Sequence, residues 1–379
     1  MKSSPVKITL GLEEELQIVH PGSGQLVSHD AKAGKAAFPD EHGTTSCEIH
    51  KCVIEVQTHI CDTPDEIVTA LVRLRRLAAQ RAAAQGQMVL ASGLHPFSPW
   101  HGQELHDSTP YYVSLLDEYG EITHSAMSFG LHVHVGLPND EHRIPVMNAL
   151  RRYLPHLMAM SASSPFMEGR DTGLQSWRHS LLGRYPRTGI PEVWADEDAY
   201  ANHLALLRRV GSIGEGQGLW EDLRLHHKFG TLEIRVCDAI HSADRNWLIV
   251  ALIQAEVATL LTEIEQGALP VPVPRHYLEE NKYRARRHGL GARFFDWEKG
   301  VLVEPAHEYA AWLSRLKPAA MALGYFDRME AALADALEEG SGGDQQRRWL
   351  AQSGSLAGVV SALVNATAAP CSYLPNGGL

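Results

Sequence analysis

Carboxylates placed inside strand-like stretches restrict what this 379-residue chain can fold into. VKITLGLEEELQIV (6–19) alternates apolar residues at Val6, Ile8, Leu10 and Leu12 and then meets the turn signal PGSG at 21–24, which predicts a strand entering a hairpin. Glu13 and Glu15 then share one face, roughly 6.6 Å apart along the strand, with Glu14 on the other. CVIEVQTHI (52–60) reads as a second strand with Glu55 in its middle, and Glu48 lies seven residues earlier. LHVHVGL (131–137) puts His132 and His134 on one face, and GTLEIRVCD (230–238) does the same for Glu233 and Arg235. Two like charges on one strand face are unfavourable unless a cation lies between them, and a divalent ion with oxygen ligands supplies it economically. Taken singly, each residue has a plain structural explanation as a solvated edge charge or one half of a salt bridge. Five carboxylates, two histidines and an arginine in or beside strands are harder to explain one at a time.

The remaining pattern mixes strands and helices without regular alternation, and no repeat appears, which indicates an α+β fold. TPDEIVTALVRLRRLAAQRAAAQ (63–85) reads as a helix with Thr63 as N-cap and Pro64 at its first position. MVLASGL (88–94) reads as a strand, while 144–164 and 243–267 read as long helices. The chain is mostly helical from about 305 to about 368, and residues 370–379 are expected to be loose. PVPVP (270–274) suits a rigid crossing better than a domain boundary, so residues 1–379 are read as a single domain.

A net charge of -11 argues against nucleic acid or an acidic membrane surface as the partner and favours small metabolites. The five cysteines (Cys47, Cys52, Cys61, Cys237 and Cys371) form no CxxC pair, which fits a reducing, cytoplasmic setting without structural zinc. MKSSPVKITL lacks a long apolar region, and WLIVALIQAEVATLL (247–261) is interrupted by Gln254 and Glu256, so neither a signal peptide nor a membrane span is expected.

Familiar nucleotide and hydrolase devices are missing from the sequence. Gly34-Lys35 lacks the rest of a P-loop, GEGQG (214–218) misses GxGxxG and reads as a turn, and neither HExxH nor GxSxG occurs. LVRLRRLAAQR (71–81) reads as the wet face of a helix, and His226, His227 and Lys228 as a solvated or phosphate-facing strand end.

Six motifs, GLEEELQIV (11–19), EIHKCVIEVQTHIC (48–61), ASGLHPF (91–97), FGLHVHVG (129–136), SSPFMEGRDTG (163–173) and FGTLEIRVCDA (229–239), occur in an order that resembles the bacterial carboxylate-amine ligases related to type 2 glutamate-cysteine ligases. The resemblance covers about residues 8–370. It implies a curved, mainly antiparallel sheet of the glutamine synthetase-like kind, with helices on its convex side and the site in its concave face. It also implies ATP, Mg2+ or Mn2+, small-molecule carboxylate and amine substrates, and leaves open the homodimer common in that family. Carried over by position, Glu15, Glu48 and Glu55 surround one ion and Glu13, His132 and Glu233 another, with His134 toward nucleotide phosphate or substrate. Which histidine holds the ion stays open. Arg178, Arg184, Asp222 and Arg224 match positions implied to contact phosphate or substrate, although Leu225 stands where the family usually has proline. His95 is a further match. Arg235 and Glu55 are the residues expected to be needed for turnover, Arg235 either on the transferring phosphate or on the oxyanion.

The chemistry of joining a carboxylate to an amine suits these residue types. A carboxylate is a poor electrophile until the γ-phosphoryl of ATP converts it to an acyl phosphate, and divalent ions and arginines offset the repulsion between the anions involved. Weak glutamate-cysteine ligation is the activity the resemblance suggests. A metal-dependent amide hydrolase using the same HxH strand and carboxylates is the alternative. A non-catalytic binding protein is disfavoured, because every expected acidic position is occupied.

Overall fold

The computed structural model describes residues 7–29, 38–106, 109–214 and 218–374; the Gly34-Lys35 pair and residues 215–217 of GEGQG lie outside them. Eight strands form one antiparallel sheet: β1 (Thr9–Val19), β2 (Phe38–Asp40), β3 (Gly43–Cys47), β4 (Val53–Thr58), β5 (Met88–Leu90), β6 (Gly130–Gly136), β7 (Leu223–Leu225) and β8 (Leu232–Asp238). Their order is β7-β8-β6-β1-β4-β3-β2, with β5 also paired to β1. The strand expected at 88–94 ends at Leu90, after which Ser92 makes only an isolated bridge to Ile240.

Strand period explains β1. Leu10, Leu12, Leu16 and Ile18 enter the core on one face, where they join Ile67 and Leu71 of helix α1 (Pro64–Ala83). Thr63 caps α1 as its sequence predicts, its hydroxyl accepting from Glu66 N at 3.2 Å. Glu14 shares the apolar face of β1, and Arg75 of α1 meets it there with bonds of 2.7 and 2.6 Å. Glu14 is 0% and Arg75 2% exposed, which corrects the expectation that this arginine belongs to a wet face. Arg75 also donates to the carbonyls of Ile240 and His241 at 2.8 Å, so the buried charge pair carries further bonds.

The helix expected over 144–164 is interrupted. Helix α2 (Arg143–Leu150) gives way to a 3-10 turn at Arg151–Tyr153 before α3 (Leu154–Ser161) begins. Pro155 has no N–H to bond Arg151 and its ring crowds that carbonyl, which breaks the ladder. Helix α4 (Ala243–Glu265) is long and apolar enough to cross a membrane, yet 72% of its most apolar window is buried in the protein core. Gln254 donates to Asp62 O at 2.8 Å, and Glu256 takes Trp312 and Arg315, so the two polar interruptions are buried and paired.

Beyond α4, helix α5 (Arg275–His288) is followed by the expected helical region, α6 (Pro305–Leu323), α7 (Phe326–Glu339), α8 (Gly342–Ser353) and α9 (Leu356–Thr367). The tail is held as far as residue 374: Cys371 is buried, Ser372 bonds Asp244 at 2.6 and 2.7 Å, and the Tyr373 ring stacks on Trp247. These contacts correct the expectation of a loose end there, and residues 375–379 lie outside the description.

Candidate active site

The polar face of the sheet lines a cavity of about 690 Å³. Antiparallel register brings the strand carboxylates together. Glu15 lies directly across from Glu55 in the β1–β4 ladder, and Glu13 across from His132 in the β1–β6 ladder. Glu233 faces His134 on one side and Arg224 on the other. Like charges directly opposite one another destabilise a sheet, so the Glu15–Glu55 pair requires compensation.

Two groups of ligand atoms result. Glu15, Glu48 and Glu55 each offer a carboxylate oxygen within 4.8 Å of the others, and Glu13, His134 and Glu233 do the same with one imidazole nitrogen. The first group has neutral donors: Gly130 N bonds Glu15 at 2.5 Å, Ile49 N bonds Glu48 at 3.2 Å, and Ser46 and Gln57 bond Glu55. Burial, with Glu15 beside it, pushes the Glu48 carboxyl up to about 7. Burial and the surrounding Glu48, Glu13 and Glu15 hold Glu55 well above the ordinary carboxylate range. Glu48 and Glu55 bring carboxylate oxygens within 4.8 Å of each other, where a proton on one of them relieves their repulsion. Such carboxyls hold a proton in place of a cation, and three oxygen donors suit a hard divalent ion.

The second group is better compensated. Burial works to raise the Glu13 carboxyl, but His132 and His134 outweigh it and hold the group low. Burial likewise opposes ionisation of Glu233, but Arg235 and Arg224 hold it well below the usual range. Arg224 bonds both oxygens of Glu233, at 2.7 and 3.2 Å, and Arg235 joins them. The structure places His134, not His132, in this group. His134 Nε2 lies 3.4 Å from Glu13 and has no hydrogen bond, while Thr231 fixes the ring through Nδ1 at 2.9 Å. A free nitrogen on a ring oriented through the other one is the arrangement of a metal-binding histidine. His132 shares that arrangement, Nδ1 lying between Glu13 at 3.3 Å and Arg235 at 3.5 Å and its buried Nε2 lacking a partner, but it stands outside the group of converging ligand atoms.

Arg178, 3% exposed, opens a short helix at 178–182 and reaches the cavity wall. Gly130 makes room for it: a Cβ there would lie 2.4 Å from Arg178 Nη2 and 3.0 Å from His132 Nε2. Arg224 and Arg235 also line the cavity, the latter within a bulge of β8 between Ile234 and Cys237. Asp222 reaches it as well, ion-paired to Lys282 at 2.5 Å. Two expected residues do not belong there. Arg184 is exposed, donates to Ser125 Oγ at 2.9 Å and is absent from the wall. His95 is buried elsewhere, bonding Gly24 O at 2.8 Å and the amides of Phe97 and Ser98, a turn-locking role. His226 lines the cavity and packs edge-on against His134. One face of α5, with Arg275, Lys282 and Arg286, was not singled out by the sequence, because the same spacing describes an ordinary solvated helix face.

A sheet walled by helices, with acidic and basic residues converging on its open face, gives the chain a glutamine synthetase-like fold. A bifunctional glutathione synthetase from Pasteurella multocida superposes with a TM-score of 0.71 at 16% identity, covering 96% of this chain, which spans about half (52%) of that longer one. The glutamate-cysteine ligase of Francisella tularensis in complex with AMP gives 0.69 at 11% identity, covering 98% of this chain and 89% of its own. The sequence goes further. The model of glutamate-cysteine ligase family 2 matches residues 9–366, and the chain belongs to that family. A relative named "Putative glutamate--cysteine ligase 2" in Herpetosiphon aurantiacus is 33% identical over 369 residues, 95% of this chain and 93% of its own. One of the same name in a Roseiflexus species is 35% identical over 364 residues, 94% and 93%. The protein is an enzyme of this ligase type, and the hydrolase alternative has no support among these relatives.

Proposed function

We propose that the protein joins a small carboxylic acid to an amine at the expense of ATP, activating the acid as an acyl phosphate, with glutamate and cysteine as one pair it accepts weakly. The observation that carries this is the Glu15–Glu48–Glu55 group, three carboxyls with no cationic donor among the described residues, in a cavity lined by arginines. Those residues fit Mg2+ or Mn2+, and Glu13, His134 and Glu233 fit a second ion. Bound there, divalent ions would neutralise the nucleotide phosphates and the reacting carboxylate.

The chain's own residues supply the rest. Arg178, seated over Gly130, presents a guanidinium to the transferring phosphoryl group, where planar donors match phosphate oxygens. Arg224 and Arg235, held by Glu233, stabilise charge on phosphate and on the oxyanion formed when the amine attacks. Their shared carboxylate fixes both guanidinium planes beforehand, so less reorganisation remains for the reaction. The test is stoichiometric. Purified protein with Mg2+ is expected to release ADP and phosphate only when acid and amine are both present, and hydroxylamine is expected to trap the activated acid as a hydroxamate. Amide cleavage without nucleotide would overturn the proposal.

A further inference from the structure

We infer that a second pocket, formed where α4 and α8 begin, binds a small carboxylate with an apolar body. It encloses about 240 Å³ and shares no lining residue with the larger cavity, so the inference does not depend on the ligase function. Pockets for drug-sized ligands start at roughly 300 Å³, which limits this one to a small molecule. Both helices open on a serine cap. Ser242 Oγ accepts from Arg245 N at 3.2 Å and Ser341 Oγ from Asp344 N at 3.4 Å. The amides at the first helical positions, Ala243 and Gly342, are left without acceptors in their helices, and both residues line the pocket. Two helix N-termini meeting there favour negative charge.

A side chain points the same way. His241, 8% exposed, lines the pocket, and its Nδ1 is buried without a partner. Burial, with Arg75 and Arg245 near it, pushes this imidazole down to about 3, so the ring is neutral and holds one N–H to donate. The charges decide the class of anion. Arg245 and Arg348 line the pocket, and so do Asp244 and Glu339. Asp244 is occupied by Ser372, whose N–H and hydroxyl bond it at 2.6 and 2.7 Å. Glu339, its side chain 68% exposed, stands 3.5 Å from Arg245, so an incoming anion can take its place while the glutamate turns to water. That exchange keeps the charge balance for a single negative charge but not for a phosphate dianion. Trp349, Ala366 and Pro370 add apolar surface, with the Trp349 ring 5.0 Å from that of His241. A carboxylate held at Arg245, His241 and the helix ends would therefore lay its body against Trp349.

The experiment is calorimetric titration of the full chain with benzoate, phenylacetate and isovalerate, each against its amide, and with inorganic phosphate. The variants are Ala366→Phe, which fills the pocket from a partly exposed wall, Arg348→Met at its rim, and Arg178→Met in the larger cavity. Wild type is expected to bind at least one of the carboxylates about 10-fold or more tightly than its amide and than phosphate, the weight of one charge-assisted interaction. Ala366→Phe is expected to lose that binding, Arg348→Met to weaken it and Arg178→Met to keep it, with circular dichroism showing all three folded. A wild type that binds none of the three carboxylates overturns the inference. So does equal binding of the amides, tighter binding of phosphate, or an isotherm in Ala366→Phe identical to that of wild type. Binding lost in Arg178→Met and kept in Ala366→Phe would place the ligand in the larger cavity and overturn it as well.

Discussion

Glu15 and Glu55 face each other across neighbouring strands with Glu48 beside them, so without a cation the folded state pays for their ionisation. Glu48 titrates near 7 against an ordinary 4.5, and Glu55 is raised as well. A carboxyl that binds its proton more tightly folded than unfolded makes the native state lose stability as pH rises through that window. We therefore expect the melting temperature of Glu48→Gln, measured in chelator, to gain on that of wild type as pH climbs from 4.5 to about 7. A difference between the two proteins that stays constant or shrinks across the same range would contradict this account. The two ligand groups also predict opposite stability effects. Glu55→Gln relieves like-charge repulsion and is expected to raise the metal-free melting temperature, whereas Glu233→Gln deprives two arginines of their anion and is expected to lower it. Both variants should stay folded and lose ATP turnover by about 100-fold or more. Wild-type turnover in both would remove these residues from the site.

Strand β1 carries two sets of instructions at once. Glu13 and Glu15 face the cavity while Glu14, between them, enters the core and is met by Arg75 of α1. Its alternation was legible as a strand, but nothing local to GLEEEL distinguishes a buried Glu14 from an exposed one, because the partner lies 61 residues away. Arg75→Met leaves a buried carboxylate without its partner and is expected to cost about 3–5 kcal/mol in chemical denaturation. Glu14→Gln combined with Arg75→Met is expected to recover part of that loss, which a double-mutant cycle measures. Helix α1 was readable because its signals are local: Thr63, Pro64 and acidic residues in the first turn. The broken helix at 143–161 was less so, since the apolar period runs through a break made by one proline.

The whole molecule closes around the buried α4, which packs on α1, α2, α3, α6 and α7 and so joins early and late parts of the chain behind the sheet. The opposite face is left to the cavity. Ligands that bind only the folded protein add stability according to their concentration. Mg2+ is expected to raise the melting temperature progressively at pH above about 7, where Glu48 has lost its proton, and a chelator to reverse the rise. Calorimetric titration should find two classes of Mg2+ site, the tighter one lost in Glu48→Gln.

Sequence alone determined the strand period, the acidic and histidine-bearing faces, the helix caps and the family motifs, because each depends on residues close along the chain. It named most of the residues found there: Glu13, Glu15, Glu48, Glu55, His132, Arg178, Arg224, Glu233 and Arg235 line one cavity, and His134 stands beside Glu13 and Glu233. Tertiary structure decided what depends on register and packing. It set Glu15 against Glu55, grouped His134 with Glu13 and Glu233, buried Arg75, removed Arg184 and His95 from the site, and brought Arg286 to its wall. Side-chain alternation gives the face on which a residue stands, but only the neighbouring strand and helix decide which charge stands opposite it.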